Sequence, residues 1–252
     1  MDDRAIWVTW YDLPEAGREA YLAWLHARYI PGILSRPGVL WGAHYESVEH
    51  HLPPGRVQRV SDPGVPAGHR YILLFGARDS YAYADPVPSK LNAALPQDGR
   101  EMIALRSGER YGVFVEEARV DGPESATRAR AYELAPCIQI GSFNASSWQA
   151  EEGLLEWYAM NRMAAMRDLP GCLGVRKYVS VCGWAKHAVL YEFTSLEMRN
   201  RHFPSHADNK PDLKTWSDRL VPSLMHAPHS PDVAVRLWPA LPAGQQPREN
   251  AT

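Results

Sequence analysis

Histidine and tyrosine are the side chains in this sequence whose types and spacing could move a proton. An imidazole with an ordinary pKa near 6.5 exchanges protons at neutral pH without help from its surroundings. Ten histidines are present, and they divide by context. His26 stands three residues before Tyr29, on one face of a helical pattern, and His44 lies on the strand that follows. These three are the candidate catalytic groups. His202 and His206 have the four-residue spacing that can put two ligands on one side of a helix, but Pro204 falls between them. No Asp or Glu nearby completes a triad, so no metal site is expected. Six aromatic residues, Trp7, Trp10, Tyr11, Tyr21, Trp24 and Tyr29, crowd the same stretch. They suit a wall for a flat or conjugated substrate and suit an ordinary core equally well, with Trp7, Tyr11 and Trp24 the candidate wall residues.

What the chain lacks narrows the chemistry. It has no GxSxG elbow, P-loop, dinucleotide fingerprint or catalytic cysteine context, so no cofactor is expected. The net charge of −2 leaves no basic surplus for a nucleic-acid partner. No apolar run has the length of a membrane span; residues 71–75 read as a buried strand. The opening residues lack the layout of a signal peptide, and Cys137, Cys172 and Cys182 show no CxxC spacing. The expected setting is therefore cytoplasmic, with reduced thiols.

The elements that must position these groups are written twice. Residues 19–45 and 152–178 align without a gap at an offset of 133, with identity at Glu19/Glu152, Leu22/Leu155, Trp24/Trp157, Pro37/Pro170, Gly38/Gly171, Leu40/Leu173 and Tyr45/Tyr178. In the first copy, β-branched and aromatic residues 5–11 predict a strand. Leu22, Leu25, Tyr29 and Ile33 then fall at helical steps over 15–35, with Pro31 expected to bend or end the helix. Strands over 39–48, 69–77 and 110–120 complete a β-α-β-β-α-β unit, with a Pro/Gly loop over 50–68. In the second copy the strands are expected at 137–143, 172–181, 187–193 and 232–238. There Leu73 aligns with Leu190 at an offset of 117, the difference being absorbed by the loop. The division predicted is 1–120 and 135–240 as two ferredoxin-like repeats, 121–134 as linker and 241–252 as a flexible tail. The fold class is α+β, with two antiparallel sheets facing each other as a barrel made within one molecule.

Trp24-Leu-His-Ala-Arg-Tyr-Ile-Pro31 followed by Arg36-Pro-Gly-Val-Leu40 resembles the EthD-like branch of the dimeric α+β barrel superfamily, in an internally duplicated form. Trp157, Tyr158, Pro170, Gly171, Arg176, Lys177 and Tyr178 match the same pattern. Where that branch usually carries Glu-His, this chain has Arg28-Tyr29 and Asn161-Arg162, so His26 or His44 would have to replace the missing acid–base group. Arg28, Arg162 and Arg176 occupy motif positions, where a guanidinium can grip a carboxylate. The resemblance implies a small-molecule enzyme acting on an aromatic-derived or conjugated carboxylate by proton transfer. Isomerase is the first choice, hydrolase or lyase of a ring-cleavage product the next. The alternatives are a haem- or metal-dependent enzyme like chlorite dismutase, with a second-copy histidine as ligand, or a non-catalytic small-ligand binder. Copy one is the expected seat of proton transfer, and homodimerisation is open to such a chain.

Overall fold

A computed structural model of the chain describes residues 2–50, 52, 55–128, 134–204, 206 and 211–241. Residues 129–133 of the expected linker and 242–252 of the expected tail lie outside the described residues. Among the described residues ten strands follow in chain order: β1 (Ala5–Asp12), β2 (Val39–Val48), β3 (Gln58–Arg59), β4 (Tyr71–Ala77), β5 (Ser107–Asp121), β6 (Cys137–Asn144), β7 (Cys172–Gly183), β8 (His187–Phe193), β9 (Met225–His226) and β10 (Asp232–Trp238).

The first repeat orders its strands β2-β4-β1-β5 and the second β7-β8-β6-β10. Pairing of β5 with β7 and of β10 with β2 joins the two sheets at both edges. The eight long strands thus close into an antiparallel barrel within one chain, and closure leaves none of them with an unpaired edge. Alternation along the strands sends Ile6, Val8, Trp10, Trp41, Tyr45, Phe114 and Tyr178 inward, where they pack as one core. At one end Arg176 bridges Asp3 at 2.6 Å and Glu192 at 3.3 Å, all three buried. Side chains fill the barrel.

Each repeat sends one long helical stretch over its sheet, residues 18–34 and 148–168. Pro31 does not end the first, which continues to Leu34. The irregularity is a π-helical turn at Leu25–Tyr29, and the same turn recurs at Tyr158–Arg162. Ala164 stands where the first repeat has Pro31, so proline does not cause it. Both stretches stop at the Pro-Gly pair. Gly38 (φ 86°) and Gly171 (φ 80°) take the left-handed conformation that lets the chain reverse into the next strand. A Cβ at Gly171 would lie 2.5 Å from Cβ of Met198, so the repeated glycine is required sterically as well.

The third strands correct the expected alignment by one residue. Ala5 of β1 pairs with Ala77, and Cys137 of β6 pairs with Phe193. The third strands therefore correspond at an offset of 116, which matches Leu73 to Val189. Leu73 packs under the first repeat's helices whereas Leu190 faces the barrel interior. A shift of one residue in a strand exchanges its faces, so the offset of 117 cannot hold.

Candidate functional site in the second repeat

Under the first repeat's helices, the predicted groups form a packed cluster. Tyr11 O–H lies 2.8 Å from His44 Nε2, and His44 Nδ1 lies 2.9 Å from His26 Nε2. With Tyr11 as donor, His44 carries its proton on Nδ1 and passes a hydrogen bond to His26, a tautomer assigned from this network. Burial, then the neighbouring His26 and Arg106, hold His44 well below the usual imidazole range, and burial lowers His26 as well. Both rings are neutral at pH 7. Arg106 anchors the aromatic side of the cluster: Nε donates to Tyr21 O–H at 2.7 Å, and the guanidinium lies 4.7 Å from the Tyr11 ring centre and 5.4 Å from that of Tyr29. Tyr29 donates to Asn92 Oδ1 at 2.7 Å. Trp24 packs between Tyr21 and Tyr29, and Trp7 packs on Phe75 and Tyr83.

The equivalent space in the second repeat is open. Strand register matches Trp7 to Gln139, Thr9 to Gly141, Tyr11 to Phe143 and Phe75 to Tyr191. The helix offset of 133 matches Tyr21 to Leu154 and Tyr29 to Arg162. Replacing an indole and two phenols by smaller or longer side chains removes the ring volume that fills the first repeat. The result is a cavity of about 510 Å³, within the usual range of small-molecule sites.

Its chemistry is anion-binding and aromatic. Arg162, at the end of the π turn, donates from Nε to Tyr191 O–H at 2.9 Å, and its guanidinium sits 4.6 Å from the Phe203 ring centre. Arg199, from the helix Leu196–His202, lies 5.5 Å from the same ring and is held by Gln139 Oε1 at 3.1 Å through Nε. Neither arginine has a carboxylate partner among the described residues, and burial lowers Arg199 from its usual range. Trp157 Nε1 and Ser217 Oγ on the cavity wall are buried without a hydrogen-bond partner among the described residues. Buried donors are almost always satisfied, which marks these two as groups a bound molecule could meet. Burial keeps the Tyr158 phenol protonated and pushes His226 down to about 4, so both line the cavity as neutral groups.

The nine site residues predicted from sequence are thus divided. Tyr11, His26 and His44 are joined by hydrogen bonds, and Trp7, Trp24 and Tyr29 belong to the same hydrophobic cluster as Tyr11. Arg28 points to solvent and pairs with Asp98 at 3.4 Å, both well exposed. Arg176 is engaged by Asp3 and Glu192 inside the barrel. Arg162 alone of the nine lines the second repeat's cavity. Sequence reasoning missed Arg106, Arg199, Tyr191, Phe203 and Trp157 as neighbours of these sites. The i, i+4 spacing of Arg199 and Phe203 and the alignment of Trp157 with Trp24 were the available signals.

The residues present do not fit a haem or metal site. Among the described residues no group of three or more His, Cys, Asp and Glu could hold a metal ion. His206 Nε2 is tied to the Ala165 carbonyl at 2.8 Å, and neither it nor His202 lines the cavity. His226, which does, is flanked by the Leu224 and Gln58 carbonyls. Cys137 and Cys172 are buried, with thiols pushed up to about 12, and Cys182 is exposed; all three are free. No helix among the described residues is long and apolar enough to cross a membrane.

Comparison of the sequence with known protein families gives no match, and neither does comparison with curated proteins. Solved structures do match. An anthrone oxidase-like protein superimposes with a TM-score of 0.59 at 7% identity, covering 93% of this chain and 92% of that one. A protein assigned as a monooxygenase from Fusobacterium nucleatum gives 0.57 at 11%, covering 94% of each chain. A chlorite dismutase from Candidatus Nitrospira defluvii gives 0.50 at 11%, covering 94% and 92%. At these identities the likeness speaks for the fold, and it spans nearly the whole of each chain. The chain has a dimeric α+β barrel fold, with both halves of the barrel in one polypeptide.

Proposed function

We propose that the cavity of the second repeat binds a small aromatic-derived or conjugated carboxylate, and that the protein is an enzyme acting on it by proton transfer. The observation that carries this reading is the pair Arg162 and Arg199. Two guanidinium groups without a carboxylate among the described residues flank one phenyl ring in a cavity of about 510 Å³. A planar anion satisfies both the charge and the ring, because a guanidinium holds carboxylate through paired N–H bonds and aromatic faces stack. Tyr191 accepts from Arg162, which leaves its own O–H available to a ligand oxygen. A phenol so placed can protonate or steady an enolate, which makes isomerisation the first choice of reaction and hydrolysis or lyase chemistry the next. None of these steps calls for a cofactor.

A second reading keeps proton transfer in the first repeat, where the Tyr11–His44–His26 chain links a buried phenol to a half-buried imidazole. The two readings separate by mutation. Calorimetry with a panel of aryl and conjugated carboxylates should find a ligand whose affinity falls about tenfold or more in Arg162→Gln, the order expected for losing a charged hydrogen bond. Incorporation of solvent deuterium into that ligand then reports proton transfer. Binding that survives Arg162→Gln and Arg199→Gln together rules out the second-repeat site. Exchange that stops in His44→Gln with binding intact favours the first-repeat chain.

A further inference from the structure

The longer loop of the first repeat does not stay with its own repeat. Beyond β2, residues 55–60 cross to the second repeat. There β3 pairs in parallel with β9, Gln58 opposite Met225 and Arg59 opposite His226. Val60 N–H donates to the His226 carbonyl at 2.8 Å, and Arg59 Nε donates to the Ser230 carbonyl at 3.1 Å. β9 in turn pairs with β6, the strand that floors the cavity. This anchoring makes Leu52, Gly55, Arg56 and Val57 part of the wall of the second repeat's cavity.

Arg56 therefore brings a cation to a site its own repeat does not contain. Its Nη1 pairs with Asp218 Oδ1 at 2.5 Å, and Asp218 also accepts from Lys214 at 2.9 Å. The hydrogen bond from Lys214, then that from Arg56, hold the Asp218 carboxyl below its usual range. The Arg56 side chain is 29% exposed and that of Asp218 45%. An ion pair this accessible to water contributes little to the fold and is readily exchanged. The cavity thus has two separate cationic groups. Arg162 and Arg199 gather about Phe203, and Arg56 stands with Lys214 on the wall built by the loop and the helix Pro211–Leu220.

We infer that the ligand is an elongated dianion: a flat skeleton with one acidic group held by Arg162 and Arg199 and a second that takes Arg56 over from Asp218. This rests on the proposed second-repeat site and adds its specificity. Arg56 would be the residue that distinguishes a two-ended acid from a one-ended one.

Naphthoate and a naphthalene dicarboxylate with its acids at opposite ends are the probes, with affinities measured by calorimetry. The native protein should prefer the dicarboxylate by about tenfold, as expected for one added charged contact. Arg56→Gln should largely remove that preference and leave naphthoate affinity unchanged, whereas Asp218→Asn, which takes the carboxylate from Arg56 and Lys214 together, should keep or enlarge it. Equal affinities in the native protein, or an Arg56→Gln variant that weakens both probes alike, overturn the inference while the site stands. If Arg162→Gln with Arg199→Gln leaves naphthoate binding untouched, the site reading itself fails, whatever Arg56 does.

Discussion

Tyr29 and Arg162 occupy the same position in the two repeats, the last residue of a π-helical turn, and there the repeats part. Tyr29 turns into a filled space and donates to Asn92; Arg162 reaches Tyr191 across an open one. A π turn inserts a residue into the helical ladder and re-aims the side chains at its end, which is why such turns gather at functional sites. Both copies keep the turn, but at its last position only the second carries a charged side chain, and that side chain lines the second repeat's cavity. Tyr29→Phe should therefore cost about 1 kcal/mol of stability, the net worth of one hydrogen bond, and leave carboxylate binding unchanged. Arg162→Gln should do the reverse. Chemical denaturation and calorimetry on the two variants measure both halves.

Within the first repeat, the Tyr11–His44–His26 chain makes a structural demand whatever its chemistry. His44 is fully buried and neutral, and Tyr11 is the partner of its Nε2. Tyr11→Phe leaves that nitrogen buried and unsatisfied, which should cost about 1–3 kcal/mol. Proton NMR should show the His44 ring of the native protein taking up its proton at a pH well below that of a free histidine.

Acid should destabilise the native state through two buried histidines before carboxylates with ordinary pKa values are titrated. Folding lowers His226 to about 4 from an unfolded value near 6.5, chiefly by burial, and lowers His187 to about 4 for the same reason, with Lys177 beside it. The unfolded chain binds these protons first, so the stability conferred by neutral rings is present above about pH 6.5 and lost as pH falls toward 4. His226 alone accounts for at most about 3 kcal/mol over that window. Urea midpoints at half-unit pH steps from 7 to 4 should trace the decline, and His226→Asn should flatten it.

The barrel was legible in the sequence because its information is local. Alternating strands, the Trp-to-Pro-Gly spacing and Gly38/Gly171 each specify a short piece of backbone, and two copies reinforced one another. The location of the cavity was not, because it depends on side-chain volumes compared across repeats. Gln139 against Trp7 has meaning only once the strand register is known. Leu73 against Leu190 shows how a one-residue error exchanges the faces of a strand. Arg106 lies 95 positions from Tyr11, and Arg56 reaches its site through a loop that reads as mere surface. Neither spacing nor composition records such crossings.

Burial of Asp232 gives the opposite pH signature to the histidines. Its carboxyl sits at the start of β10 with Oδ2 unpartnered among the described residues, and burial raises it to about 7 despite the opposing charges of Arg110 and Arg59. The folded chain then binds a proton that the unfolded chain, with an aspartate near 3.9, has already lost. Stability contributed by this group therefore falls as pH rises from about 4 to about 7 and is level above that. Asparagine has nearly the same shape and no charge to bury. Asp232→Asn should be close to neutral at pH 4 and increasingly stabilising up to pH 7, by at most about 1.4 kcal/mol per pH unit. Paired denaturation curves at pH 4, 5.5 and 8 measure the difference directly. A variant no more stable than the native protein at pH 8 would mean that an unseen partner already satisfies the ionised carboxylate.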